Sequence, residues 1–197
     1  MSENAKVPSK NSRFETKVEH DGRKKKPKLV NPEFTREVIK RGADTLTLCF
    51  QCGTCTGGCP SGRITAFRTR KLMRRVQLGF REDVLPSDEL WLCTTCMTCD
   101  ERCPRGVRIT DIIMTLRNMA VKEGYMAEAH RRTAGMLVET GHAIPMTDKF
   151  KELRKTLKLD EVPHTVLSDP KLYEEVKKIM EATKFDKLIG TRLDNHN

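Results

Sequence analysis

Eight cysteines carry the chemistry that this chain can perform, and they fall into two runs of one pattern. Cys49, Cys52, Cys55 and Cys59 are followed by Pro60; Cys93, Cys96, Cys99 and Cys103 are followed by Pro104. Each cysteine of the first run recurs 44 positions later, and the chain has no others. Both runs read C-x2-C-x2-C-x3-C-P, the ligand spacing of a cubane iron–sulfur centre. A cubane has four iron corners, each needing one thiolate. Three cysteines at this spacing wrap one loop around three corners, and the fourth thiolate comes from elsewhere. In two-cluster proteins with this spacing, the fourth cysteine of each run serves the other cluster. On that pattern one [4Fe-4S] cluster takes Cys49, Cys52, Cys55 and Cys103, and the second takes Cys93, Cys96, Cys99 and Cys59. The crossing binds the two halves into one unit and brings the clusters close, as an electron relay requires. The proline after each run cannot continue the preceding hydrogen bonds and turns the chain away.

Zinc is the competing use of two C-x2-C pairs. A zinc ribbon has no need of a third cysteine at the same short spacing, or of a C-P fourth member, in both runs. Between the cysteines the runs differ: Gly53, Gly57 and Gly58 occupy the first, and Met97, Asp100, Glu101 and Arg102 the second. Glycines there let backbone N–H groups approach cluster sulfurs or merely permit tight turns. Nothing else in the sequence reads as a catalytic site. There is no G-x-G-x-x-G element and no phosphate-binding Walker loop. His20, His130, His142, His164 and His196 are scattered and read as surface residues. With every cysteine committed to a cluster, catalysis is expected on another chain.

The chain has 197 residues, 37% hydrophobic and only 5% aromatic, a modest supply for a core. Thiolate bonds to iron would act as internal staples where apolar burial is thin. No apolar run approaches the roughly 18–20 residues needed to span a bilayer. The N-terminus is polar and charged, unlike a secretory leader. These features predict a cytoplasmic protein with no membrane association. In a reducing cytosol, thiols serve metals or redox work rather than disulfides. The net charge is +10, and residues 1–30 supply half of it with nine Lys/Arg against four Asp/Glu. A basic tail attracts phosphate, but no nucleic-acid recognition module accompanies it. The expectation is therefore no nucleic acid, but a solvated extension or one that lies along an acidic partner.

The elements that must position the cysteines are all helical. Asn31-Pro32-Glu33 is a helix start, with an N-cap and then proline in the first turn. Phe34, Val38 and Ile39 share one face before Gly42. Ile64 to Leu78 reads as one basic helix, with Ile64, Phe67, Leu72, Val76 and Leu78 buried and Gly79 at its end. Pro86-Ser87-Asp88-Glu89 starts a short helix carrying Leu90 and Trp91 into the second run. After Thr110-Asp111, the residues Ile112, Ile113, Leu116, Met119 and Ala120 form a helical stripe that ends near Gly124. Residues 126–140 form a further helix stopped by Gly141, and 147–158 another. Asp169-Pro170 opens a last one with Leu172, Val176, Ile179 and Met180 on one face. The expected fold is all-α, with two cluster loops held between short helices. The expected organisation is a basic extension (1–30), a two-cluster domain (31–141) and a helical partner-docking segment (142–197).

The arrangement resembles the α-helical ferredoxin domain of fumarate reductase and succinate dehydrogenase iron–sulfur subunits. More closely, it resembles the iron–sulfur (C-type) subunits of the methanogen heterodisulfide reductases. The residues that carry this likeness are Cys-Phe-Gln-Cys-Gly-Thr-Cys-Thr-Gly-Gly-Cys-Pro (49–60), the arginine-rich stretch 65–75 and Leu90-Trp-Leu-Cys-Thr-Thr-Cys (90–96). The C-terminal segments 163–170, 175–179 and 185–189 add to it, so that the likeness covers about residues 31–190. The resemblance implies a complex of three kinds of chain. The A-type chain carries flavin. The B-type chain, with cysteine-rich CCG motifs, is catalytic and cleaves the coenzyme M–coenzyme B disulfide in methanogenesis. The C-type chain passes electrons from the first to the second. An associated hydrogenase or formate dehydrogenase would feed the assembly. The family's cluster ligands map onto Cys49, Cys52, Cys55, Cys59, Cys93, Cys96, Cys99 and Cys103. The alternative is a relay subunit of another fumarate reductase-like or glycerol-3-phosphate dehydrogenase-like oxidoreductase.

Overall fold

The computed structural model describes residues 29–140, 143–166 and 169–190. The expectations for residues 1–28, for the Gly141 stop and for His20, His142 and His196 lie outside the described residues. Among the described residues every regular element is helical. In chain order they are α1 (Pro32–Lys40), a 3₁₀ turn (Asp44–Leu48), α2 (Thr54–Gly57), α3 (Pro60–Ile64), α4 (Thr69–Gln77), α5 (Arg81–Val84), a second 3₁₀ turn (Asp88–Leu92), α6 (Thr98–Glu101), α7 (Ile109–Lys122), α8 (Glu128–Thr140), α9 (Asp148–Thr156), α10 (Pro170–Thr183) and α11 (Phe185–Ile189).

Local chemistry sets the helix starts. The Asn31 side chain accepts from the backbone N–H of Phe34, 3.3 Å away, and Pro32 stands where a missing N–H costs nothing. Asp169 does the same for α10, accepting from the N–H of Lys171 at 2.9 Å. Burial then selects faces. Phe34 and Val38 of α1, Leu72, Met73 and Val76 of α4, and Ile112, Ile113, Leu116 and Ala120 of α7 meet in one core. Arg81 ties three elements to it. Its guanidinium pairs with Glu37 on α1 at 2.9 Å and with Glu123 after α7, and lies 5.5 Å over the Phe34 ring.

The 44-residue repeat is also a structural repeat. The two 3₁₀ turns and the helices α2 and α6 each correspond residue for residue at that offset. Leu46 and Leu90 are buried at matching places. In each half, a side chain from a following helix clamps the cysteine loop. Gln77 on α4 donates to the carbonyls of Leu46 (3.2 Å) and Cys49 (2.9 Å). Arg117 on α7 donates to those of Leu90 (2.9 Å) and Cys93 (2.6 Å), which are the same two positions in the second half.

The single helix expected over Ile64–Leu78 is in fact two, α3 and α4, separated at residues 65–68. Ile64 is 83% exposed rather than buried, whereas Phe67, Leu72 and Val76 are in the core and Leu78 is half-buried. The reason lies in competing local hydrogen bonds. The Thr65 hydroxyl donates back to Ser61 O (2.8 Å) and accepts from the Phe67 N–H (3.2 Å), and Arg68 caps the carbonyls of Gly62, Thr65 and Phe67. The break turns Phe67 inward between the two halves.

Beyond α7, α8 lies against α11, with Val138 and Ile189 buried and the Tyr173 hydroxyl donating to Val138 O at 3.4 Å. Leu172 and Ile179, expected on the apolar face of α10, are exposed. No described helix is long and apolar enough to cross a membrane.

Candidate metal centres

The loops that carry the cysteines depend on an unusual backbone. Gln51 (φ +68°) and Gly53 (φ +92°) are left-handed, as are Thr95 (φ +53°) and Met97 (φ +59°) at the same places 44 residues on. Two such turns in a short span point successive thiols of one run into a common space. For Gln51, Thr95 and Met97 the conformation costs on the order of 1–3 kcal/mol each, and strain of this kind persists where the surroundings over-determine it. Here the Gln51 amide is held by Cys49 Sγ at 3.3 Å and Gln77 Oε1 at 3.2 Å, and the Thr95 N–H points at Cys93 Sγ, 3.5 Å away.

Two cavities result. The first is lined by Cys49, Cys52, Cys55 and Cys103, with Gly53, Thr54, Arg70, Arg105 and Ile109 around them. The second is lined by Cys59, Cys93, Cys96 and Cys99, with Phe67, Thr69, Thr98, Thr110 and Ile113. The chain thus gathers its cysteines four and four, with the last member of each run exchanged between the halves. Cys103 reaches the first cavity because α6 packs against α2. Cys59 reaches the second at the N-cap of α3, whose Ser61 hydroxyl is anchored on Leu92 O at 2.6 Å. Among the described residues, no three His, Cys, Asp or Glu side chains are placed to hold a single metal ion. Four thiols lining one space, and not converging on a single ion, suit a larger inorganic group with four soft, thiolate-seeking corners.

The sulfurs are already addressed by donors. Backbone N–H groups of Gly62, Thr95 and Val107 point at Cys59 (3.4 Å), Cys93 (3.5 Å) and Cys103 (3.3 Å). Of the two uses open to the glycines, Gly57 and Gly58 take the turn, donating to the carbonyls of Gly53 and Thr54, whereas the Gly53 backbone acts on Cys52. Hydroxyls of Thr54 and Thr98, again 44 residues apart, lie 3.3 and 3.4 Å from Cys52 and Cys96. That pairing was visible in the sequence as part of the repeat. Asp100, the next residue in the chain, lies 3.5 Å from Cys99, and the fold brings Thr110 to 3.7 Å from the same sulfur.

These environments split the thiols. The threonine hydroxyls and neighbouring backbone hold Cys52 and Cys96 below the usual thiol range. Burial pushes Cys55 and Cys93 up, and it pushes Cys99 up to about 12, with the Asp100 carboxylate adding to the effect. Cluster binding must therefore expel protons from the buried sulfurs. Alkylation follows thiolate fraction and access. In the cluster-free chain at pH 8, iodoacetamide should label Cys52 and Cys96 first and Cys99 last, with rates spread by roughly tenfold or more. Peptide mass spectrometry over a time course reads this; uniform labelling would show that the thiols are not so placed.

The histidines stand apart. His130 is exposed, its ring 4.8 Å from that of Trp91, and His164 pairs with Asp160 at 3.3 Å on the surface. Neither lines a cysteine cavity. Beside the first cavity, Thr47, Leu48, Cys49, Phe50 and Arg105 line an open groove, in which Leu48 and Phe50 are exposed.

Comparison with known proteins agrees with this geometry. Residues 45–107, which contain both cysteine runs, match the 4Fe-4S dicluster domain. The chain is 49% identical over 162 residues to the iron–sulfur (C) subunit of the CoB–CoM heterodisulfide reductase of Methanopyrus kandleri, covering 82% of each chain. It is 51% identical over 169 residues to the iron–sulfur (C 2) subunit of the same enzyme in Methanocaldococcus jannaschii, covering 82% of this chain and 90% of the relative. It is 44% identical over 173 residues to the C2 subunit of the H(2)/formate:CoB–CoM heterodisulfide,ferredoxin reductase of Methanococcus maripaludis, covering 84% of this chain and 94% of the relative.

Proposed function

The chain belongs to the family of iron–sulfur (C-type) subunits of CoB–CoM heterodisulfide reductases, and on that premise we propose that it relays electrons from a flavin-carrying A-type partner to a disulfide-cleaving B-type partner. The observation that supports this reading is the pair of four-cysteine cavities within one shared core. Each would hold one [4Fe-4S] cluster, which when bound stores and releases single electrons. Cys49, Cys52, Cys55 and Cys103 ligate one, and Cys59, Cys93, Cys96 and Cys99 the other. The rest of the chain holds these sulfurs in place and limits water around them. Gln77 and Arg117 clamp the loops, and Phe67, Ile109 and Ile113 wall the cavities. The rims at Cys52 and Cys96 are exposed, so charge can pass in and out without opening the fold.

The reaction itself belongs to the partners in this reading. Residues 31–141 carry the relay, and the segment from 142 onward docks on a neighbouring chain of the complex. Phe150 and Leu153 of α9 and Leu157 just after it, together with Leu172 and Ile179 of α10, are exposed apolar side chains available for that contact. A hydrogenase or formate dehydrogenase supplies the electrons. Anaerobic native purification, followed by identification of every co-migrating chain, tests the whole assignment. A flavoprotein together with a CCG-motif protein is the expected result. Co-migration with a flavin dehydrogenase for another substrate would overturn it.

A further inference from the structure

The two cavities present equivalent sulfurs but unequal charge. From this we infer that the centre held by Cys49, Cys52, Cys55 and Cys103 has the higher reduction potential, so that an electron shared between the two rests mainly there. The inference depends on the two-centre reading above. A cluster gains negative charge on reduction, so nearby cations raise its potential and nearby anions lower it.

Hydrogen bonding separates the sites little, and not in favour of the first. The first has donors from Gln51, Thr54 and Val107, and the second has them from Gly62, Thr95, Thr98 and Thr110. Charge does distinguish them. Two guanidinium side chains, Arg70 and Arg105, line the first cavity, and no charged side chain lines the second. Arg70 comes this close because residue 53 has no side chain; a Cβ there would lie 3.7 Å from its Cδ and 3.9 Å from its Nε. At the second site the nearest fixed charge is negative. The Asp100 carboxylate lies 3.5 Å from Cys99 Sγ and is held there by the Thr110 N–H at 2.9 Å.

Two other arginines stand near and do not reverse this balance. Arg117 does not line the cavity, but its charge survives its bonds to the Leu90 and Cys93 carbonyls and acts on Cys93, so it offsets Asp100 and leaves the second site near balance against two cations at the first. Arg102 packs against Gly58, beside Cys59, and itself precedes Cys103, so it neighbours a ligand of each site.

The test is a redox titration of the full chain, purified without oxygen and followed by electron paramagnetic resonance, with iron content measured on each sample. Two midpoints are expected. Joint Arg70→Gln and Arg105→Gln substitution should lower the higher midpoint alone, by tenfold or more in the reduction equilibrium, about 59 mV for one electron. Asp100→Asn, which keeps the acceptor for Thr110, should raise the lower midpoint alone. The inference is overturned if the arginine variant moves the lower midpoint or neither, if Asp100→Asn moves the higher, or if the parent midpoints coincide. Absence of iron sinks the two-centre reading and this inference together, whereas full iron with the wrong midpoint moving sinks only the inference.

Discussion

Cys103→Ser, purified without oxygen, should lose the cluster built on Cys49, Cys52 and Cys55 and keep the one on Cys93, Cys96 and Cys99. Serine oxygen is a poor substitute for thiolate at an iron corner, so the site that borrows Cys103 is the one that fails. The cavity lined by Cys49, Cys52 and Cys55 includes Cys103, and the cavity lined by the rest of Cys103's own run does not. Iron should fall from roughly eight atoms per chain towards four. The mirror substitution Cys59→Ser should spare the first centre and remove the second. Electron paramagnetic resonance of the two variants should show complementary halves of the parent spectrum. If Cys103→Ser instead removes the cluster of its own run, the exchange between halves is wrong.

Gly79→Ala should be the most damaging single-methyl change in the helical frame. Gly79 follows α4 with φ +74°, and a Cβ there would stand 2.4 Å from the Asn31 carbonyl oxygen and 2.7 Å from its carbon. The obstacle is backbone, so no rotamer change relieves it. Asn31 is the N-cap of α1, and its own N–H donates to Gly79 O at 2.9 Å. Making room means shifting the start of α1 and with it Phe34, which is buried in the core. The left-handed backbone alone costs an alanine about 1–2 kcal/mol. The displaced cap adds roughly 1 kcal/mol and the strained core more. A total near 3 kcal/mol lowers the melting temperature by about 10 °C in a domain of this size. Gly124→Ala is the control. It is also left-handed (φ +86°), but nothing lies within 4 Å of its Cβ, so it should show only the backbone cost. Equal losses in the two variants, read by thermal melting of the cluster-loaded chain, would refute the steric argument.

The cluster chemistry was legible because it is written in one residue type at short spacing. Three thiols within seven residues can reach one metal group whatever the rest of the fold does. Helix starts were legible for a similar reason. Asn31-Pro32 and Asp169-Pro170 cap their helices through bonds spanning only two or three residues. The stripe from Ile112 to Ala120 declared its buried face because periodicity and burial agree along α7. The break after Ile64 was not legible. Apolar spacing there fits a continuous helix, and only the bonds around Thr65 and Arg68, together with the demand to bury Phe67, decide against it.

What surrounds the sulfurs belongs to the tertiary structure. Gln77 and Arg117 carry no mark of their role, since each clamps carbonyls 24 to 31 residues away. Asp100 and Arg105 stand one and two residues from a cysteine in the chain, but Arg105 faces the first cavity only because Cys103 is exchanged into it, and Arg70 reaches that cavity only through packing. Metal-ligand spacing and helix caps are short-range chemistry, encoded within a few neighbouring residues. The electrostatic field at a site adds to such neighbours the groups remote in the chain, as Arg70 is at the first, and only folding brings those in.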